Sequence, residues 1–261
     1  MRSLNIAATG MLAQQLNVEV ISNNIANLNT TAYKKQRAEF QDLLYQNERR
    51  VGSTSSDTGT IVPVGVQIGS GVKAAAVYRL STQGNLTNTN NPLDLAIQGK
   101  GYFQVQMPDG TTAYTRDGSL QLSPTGEIVT ADGYVIDPGI TLPANTTAVT
   151  VNANGQILAS VAGQAQPQTV GQLQLATFPN EGGLQALGGN YLAETPASGT
   201  ATTGNPGATA YGTIQQGYLE TSNVNIVSEI TDLITAQRAY EMNSKVIQTS
   251  NDMESTLSQI R

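Results

Sequence analysis

The stretch YFQVQMPDGTTAYTRDGSLQLSPTGEIVTADGYVI, residues 102–136, alternates short period-two runs with turn residues. The turns are Asp109-Gly110, Asp117-Gly118, Pro124-Thr125-Gly126 and Asp132-Gly133. Asp-Gly pairs supply the positive φ that tight hairpins require, so the stretch predicts consecutive antiparallel hairpins. A second strand-rich run covers about 147–178 and includes VTVNANGQILASV, with Asn154-Gly155 at its turn. Together they place a β-rich domain at residues 81–189.

Outward from this domain the pattern fades. Residues 46–60, QNERRVGSTSSDTGT, are polar and aperiodic, and residues 194–213 are low-complexity in Thr, Gly, Ala and Pro. Both read as parts of extended connectors, 46–80 and 190–214, that carry the chain out from a base and back.

At the two ends the period becomes helical. Leu4, Met11, Val18 and Ile25 repeat every seven residues, with Ala7, Ile21 and Leu28 at the complementary spacing and Gln14 as the polar member of the seam. Ser3 is a candidate N-cap. At the other end Ile226, Leu233, Tyr240 and Ile247 repeat at seven, beside Val246, Met253 and Ile260; Ser222, Asn223 and Asn225 are candidate caps. The fold class is therefore α+β: paired N- and C-terminal helices, coiled-coil-like, with an inserted antiparallel β-rich domain. Residues 1–45 and 215–261 form a discontinuous helical domain whose regular apolar stripes suit lateral packing into a polymer.

One feature of the first helix is unusual. SNNIANLNTTAYKK, residues 22–35, places Asn23, Asn24, Asn27 and Asn29 where the helix ends, although asparagine weakens helix interiors. Asn23, Asn24 and Asn27 read as hydrogen bonders to neighbouring copies, and Asn29 as the residue that ends the helix. The assembly interface then comprises Leu4, Met11, Val18, Ile21, Asn23, Asn24, Ile25, Asn27, Leu28, Ile226, Leu233, Tyr240, Val246, Ile247 and Met253.

Composition narrows the function further. The chain has neither Cys nor His, which removes disulfides, thiolate chemistry and the commonest general base and metal ligand. No catalytic, metal or cofactor site is expected. A net charge of −6 argues against nucleic-acid binding. No run is long and apolar enough to span a membrane, and no cleavable secretory signal opens the sequence.

The motifs SNNIANLNTTAYKK (22–35), NPLDLAIQGKGYFQV (91–105), AYTRDGSLQL (113–122) and QGYLETSNVNIVSEITDLITAQRAYEMNSKVIQTSNDM (216–253) resemble, in order, those of the bacterial flagellar rod and hook axial proteins. Length and the 46–65 region point to the distal-rod type, the nearest alternative being another rod or hook-type member. The resemblance implies a structural, self-assembling homo-polymer, with paired helices as its inner tube and the β domain as its outer layer. It implies proximal rod proteins below, hook protein above, and P and L ring proteins around it. It also implies passage, unfolded and without a cleaved signal, through the type III export apparatus to a rod-cap protein, and residence in the periplasmic rod that crosses to the outer membrane. Residues 46–65, with Arg49, Arg50, Asp57, Val62 and Pro63, are the candidates for a stiffening contact. The sequence departs from the family at Ala32, where glycine is usual, so a left-handed residue is not expected there.

Two rival classes have their own tests. A glycoside-hydrolase pair, Asp117 with Asp132, is countered by their positions in turns and is open to a muramidase assay. A secreted glycan-binding or adhesin module needs aromatic platforms, yet the chain has no Trp and 5% aromatics.

Overall fold

The computed structural model describes residues 2–49 and 64–259. They form two compact units. The first holds the described residues of 1–26, 36–78 and 225–261; the second holds 27–35 and 79–224.

In the first unit, helix α1 (Arg2–Ala26) pairs with helix α2 (Ile226–Gln259). Ser250 lies beside Ser3, with their hydroxyls 3.4 Å apart. Asn243 fills the space over Gly10, where an added Cβ would stand 2.9 Å from its amide nitrogen. Asn24 Nδ2 donates to Glu229 Oε2 at 3.1 Å. From Ser3 to Gly10 α1 advances seven residues while its partner retreats seven, so the helices run antiparallel in constant register. The fully buried positions of α1 are Ala7, Ala13, Val20, Ile21 and Asn24; those of α2 include Glu229, Ala236 and Ser250. Apart from Val20 and Ile21, these buried positions are small or polar rather than the Leu/Met/Ile row expected.

Asn225 caps α2, its Oδ1 accepting from Val227 N–H at 3.0 Å. Ser3 is not a cap, because α1 is already helical at Arg2.

The chain between the helices is not a structureless connector at first. Strands Gln36–Asp42 and Tyr45–Arg49 pair with Val72–Arg79 and Val66–Gly69 respectively. Leu43 N–H to Gly71 O at 2.8 Å and Ser70 N–H to Leu44 O at 3.1 Å join the two ladders into one long hairpin. Every residue of Tyr45–Arg49 is exposed, so no inside/outside alternation marked it as a strand. Arg50, Asp57, Val62 and Pro63 lie outside the described residues.

The second unit is mainly β, with a 3-10 turn at Glu181–Gly183. Tyr102–Gln106 is central in a nine-stranded sheet, flanked by Thr112–Thr115, Val135–Ile136 and Leu175–Thr177. Phe103 and Val105 enter the main core with Leu95, Ile97, Ile157, Leu175 and Ile214. Tyr102 joins a second cluster, where Tyr114 meets Phe178 edge-on at 4.7 Å. The expected turns at Asp109-Gly110, Pro124-Thr125-Gly126, Asp132-Gly133 and Asn154-Gly155 each close a hairpin.

Asp117-Gly118 does not. Leu95 N–H donates to Gly118 O at 3.0 Å, and a Cβ on Gly118 would lie 1.6 Å from Leu95 O. Glycine is there so that two backbones can touch. Residues 190–214, expected as a connector, contribute Tyr191–Ala193, Thr202–Gly204 and the start of Thr213–Gln216 to the sheets.

Candidate functional site: a motif junction and an exposed helical face

The asparagine-rich segment reaches its destination through a reversal. Helix α1 stops at Ala26, and Asn27 opens a turn in which it accepts from Thr30 through both backbone and side chain. Among the described residues Asn29 does not take positive φ, whereas Ala32 does, at 57°. The expectation at Ala32 is therefore overturned, and α1 ends three residues before Asn29, the expected terminator. Ala32 is buried and its N–H donates to Glu220 O at 2.8 Å, so tertiary bonding holds a conformation costing about 1–2 kcal/mol.

That reversal delivers Lys34 to a buried node. Lys34 Nζ donates to Glu220 Oε1 at 2.5 Å and to Thr82 O at 2.9 Å. Arg116 Nε donates to Glu220 Oε2 at 2.5 Å, and its remaining nitrogens reach the carbonyls of Ile97, Gly99 and Gly101. Gly84 N–H completes the carboxylate's shell at 2.8 Å. Glu220 is only 2% exposed. Burial alone would raise its carboxyl, but Arg116 and Lys34 outweigh that and hold it below the usual glutamate value. Lys34 faces one anion and one cation, so burial prevails there and lowers its ammonium.

Neighbouring bonds extend the node. Asp117 accepts from Thr31 Oγ1 at 2.9 Å and from Ser119 N–H at 3.0 Å. Asn223 accepts from Lys35 N–H at 2.6 Å and donates to the carbonyls of Leu80 and Thr82. Asp132, the other half of the supposed carboxylate pair, accepts from Tyr191. Both carboxylates thus hold turns and strands in place.

Asn24 departs from the expectation. Asn24 is 1% exposed, and its side chain forms a two-way bond with Gln36: Nδ2 to Gln36 O and Gln36 N–H to Oδ1, both 2.9 Å. It bonds within its own chain, so it is not an amide offered to a neighbour. Ile21 is likewise buried in the chain. Leu4, Met11, Val18, Ile25, Asn27 and Leu28 are half-buried, as are Leu233 and Ile247, while Asn23 is exposed.

The remaining predicted positions lie on the exposed surface of α2, on both flanks of its contact with α1. Ile226, Tyr240, Val246 and Met253 are exposed on α2, and with them Val227, Ile230, Ile234 and Met242. Val227 is 71% exposed. Sequence reasoning missed Lys34, Arg116, Glu220 and Asn223. Their signal was a charge or amide inside a short motif of a chain with only 12% charged residues.

The geometry describes a structural subunit, with the buried charges of Lys34, Arg116 and Glu220 spent on joining distant segments. Three family models match: "Flagella basal body rod protein" over 4–34, "Flagellar hook protein FlgE/F/G D1 domain" over 96–159 and "Flagellar basal body rod FlgEFG protein C-terminal" over 215–260. Lys34, Arg116 and Glu220 fall one in each matched segment, so the node is where the three meet. These segments define the class of flagellar rod and hook axial proteins.

Within that class, the chain is 60% identical over 261 residues to a flagellar basal-body rod protein FlgG of Caulobacter vibrioides, covering 100% of both. It is 52% identical to that of Agrobacterium fabrum over 99% of this chain and 98% of the relative. It is 31% identical to the flagellar hook-basal body complex protein FlhP of Bacillus subtilis, covering 100% of both. The chain belongs to the FlgG-type flagellar basal-body rod proteins. It is a structural protein of the flagellar basal body, not an enzyme.

Proposed function

We propose that the chain polymerises into the straight distal rod, a drive shaft passing torque to the hook, through lateral packing of its helix pair. The observation carrying this reading is the exposed apolar surface of α2. Eight large apolar or aromatic side chains between Ile226 and Met253 stand exposed, although the buried positions of the seam, apart from Val20 and Ile21, are small or polar. Covering one such side chain contributes roughly 1.5–3 kcal/mol, a driving force the lone chain leaves unused. A neighbouring copy supplies the cover, and the contact is head-to-tail, so it propagates as a helix.

The long hairpin supports a second contact. Leu44 is 87% exposed, and Tyr45, Val64 and Val66 are also open. This arm, with residues 46–65, rests on a neighbouring copy and stiffens the polymer. Proximal rod and hook proteins bound the polymer, with the P and L rings around it. The chain arrives unfolded in the periplasm through the type III export apparatus, at the rod-cap protein.

Electron microscopy of the concentrated, purified chain tests the reading. Straight tubes are expected from the parent, and dispersed monomers from Ile230→Asp with Val246→Asp. Tubes formed equally well by that variant would remove the α2 face from the mechanism. Deleting about residues 48–62 should give curved polymers; straight ones would count against the arm.

A further inference from the structure

The first and last strands of the β unit are partners. Leu95–Gln98 pairs residue for residue with Thr213–Gln216, and Leu86–Asn88 pairs with Tyr218–Glu220. Ile214 is 2% exposed within the same core as Leu95, Ile97 and Phe103. Glu220 brings the carboxylate that both Lys34 and Arg116 reach. Gly217 N–H, Thr221 N–H and Asn223 add backbone and amide bonds to Asp94, Asn85 and Leu80.

We infer that residues 213–224 are a closing strap: without them the β unit has no stable folded state, and its folding waits for them. An unstrapped sheet would leave Leu95–Gln98, three of whose four residues are fully buried, with an open edge and an uncovered core face. It would also bury two cations without the counter-charge that offsets their desolvation. Hairpins such as Tyr102–Gln106 with Thr112–Thr115 are local and could form early, but two strands are marginal alone. The strap contacts span more than a hundred residues, so the loop they close is the slow step.

During synthesis the chain therefore stays open until residue 224 is available. A protein built this way emerges from synthesis without a folded β unit, whether or not it later polymerises.

Refolding of the intact chain from denaturant, followed by pulsed hydrogen exchange, tests the strap. The amides of Phe103 and Val105 should gain protection within threefold of the rate at Ile214. Protection of the 102–115 hairpin more than threefold ahead of Ile214 overturns the inference. Ile214→Val gives an independent reading, since it trims one methylene and should still fold. Its total kinetic effect of about fivefold should fall mainly on the folding rate. A variant whose change falls mainly on unfolding shows that the strap docks late, and the inference fails.

Discussion

The two units solve burial in opposite ways. In the β unit the large side chains are inside: Phe103, Ile97, Ile157 and Leu175 are fully buried, and the charges that enter are matched. In the helical unit the inside holds Ala13, Ala236, Asn24 and Ser250 beside Val20 and Ile21, while Ile226, Val227, Ile230, Ile234, Met242, Val246 and Met253 of α2 are exposed. A unit that spends its apolar surface internally is finished. One that buries alanine and displays isoleucine is shaped for further contact. In dilute solution protease should accordingly cut the helices well before the β unit.

The largest effect that could break this contrast lies at the node. Glu220→Gln keeps the shape but leaves Lys34 and Arg116 without an anion, and should cost about 3–5 kcal/mol in denaturant unfolding of the β unit. The acid response follows from the same carboxylate. Its folded value is depressed, so its stabilisation is complete above the ordinary glutamate range near 4.5 and is lost as pH falls through the lower folded value. Unfolding midpoints measured from pH 7 to 3 should drop in the parent and flatten in Glu220→Gln.

Next in size is Asn24→Ala. It strips the partners from Gln36 N–H and O and should lower the opening free energy of the helix pair by about 1–3 kcal/mol. Faster amide exchange in α1 would report it. Unchanged exchange would mean that the two-way bond contributes little.

Ala32→Gly acts in the other direction. It relieves a left-handed alanine at about 1–2 kcal/mol and concedes 0.4–1 kcal/mol of unfolded-chain entropy, for a net gain of about 0.5–1 kcal/mol in unfolding. The smallest effect belongs to the open face. Val227→Ser should move monomer stability by less than about 0.5 kcal/mol while weakening polymer formation, and a larger monomer loss would show that the face is already covered.

The contrast also explains what could be read from residues alone. Turn chemistry is local, so Asp109-Gly110, Asp132-Gly133 and Asn154-Gly155 announced their hairpins. Helical period is local too, and both helices stand close to where their repeats begin and end. Asn24, by contrast, looks like a helix-weakening residue until Gln36 is brought beside it. Ala32 looks wrong for a left-handed turn until Glu220 holds its N–H. Arg116 and Glu220 stand 104 residues apart, and no spacing rule links them. The seam was misplaced for a related reason: heptad counting rewards large residues, whereas close packing here selected Gly10, Ala13 and Ala236.

The polar seam has a mechanical consequence. A row of leucines tolerates displacement by one heptad, because every rung resembles the next. Here a slip of seven residues would set Asn24 against Ala236 and draw Glu229 out of its reach. Asn243 would leave the slot that Gly10 provides. The helix pair thus carries its own detents. A load along its axis is resisted by specific bonds that must break together, rather than dissipated by gradual creep.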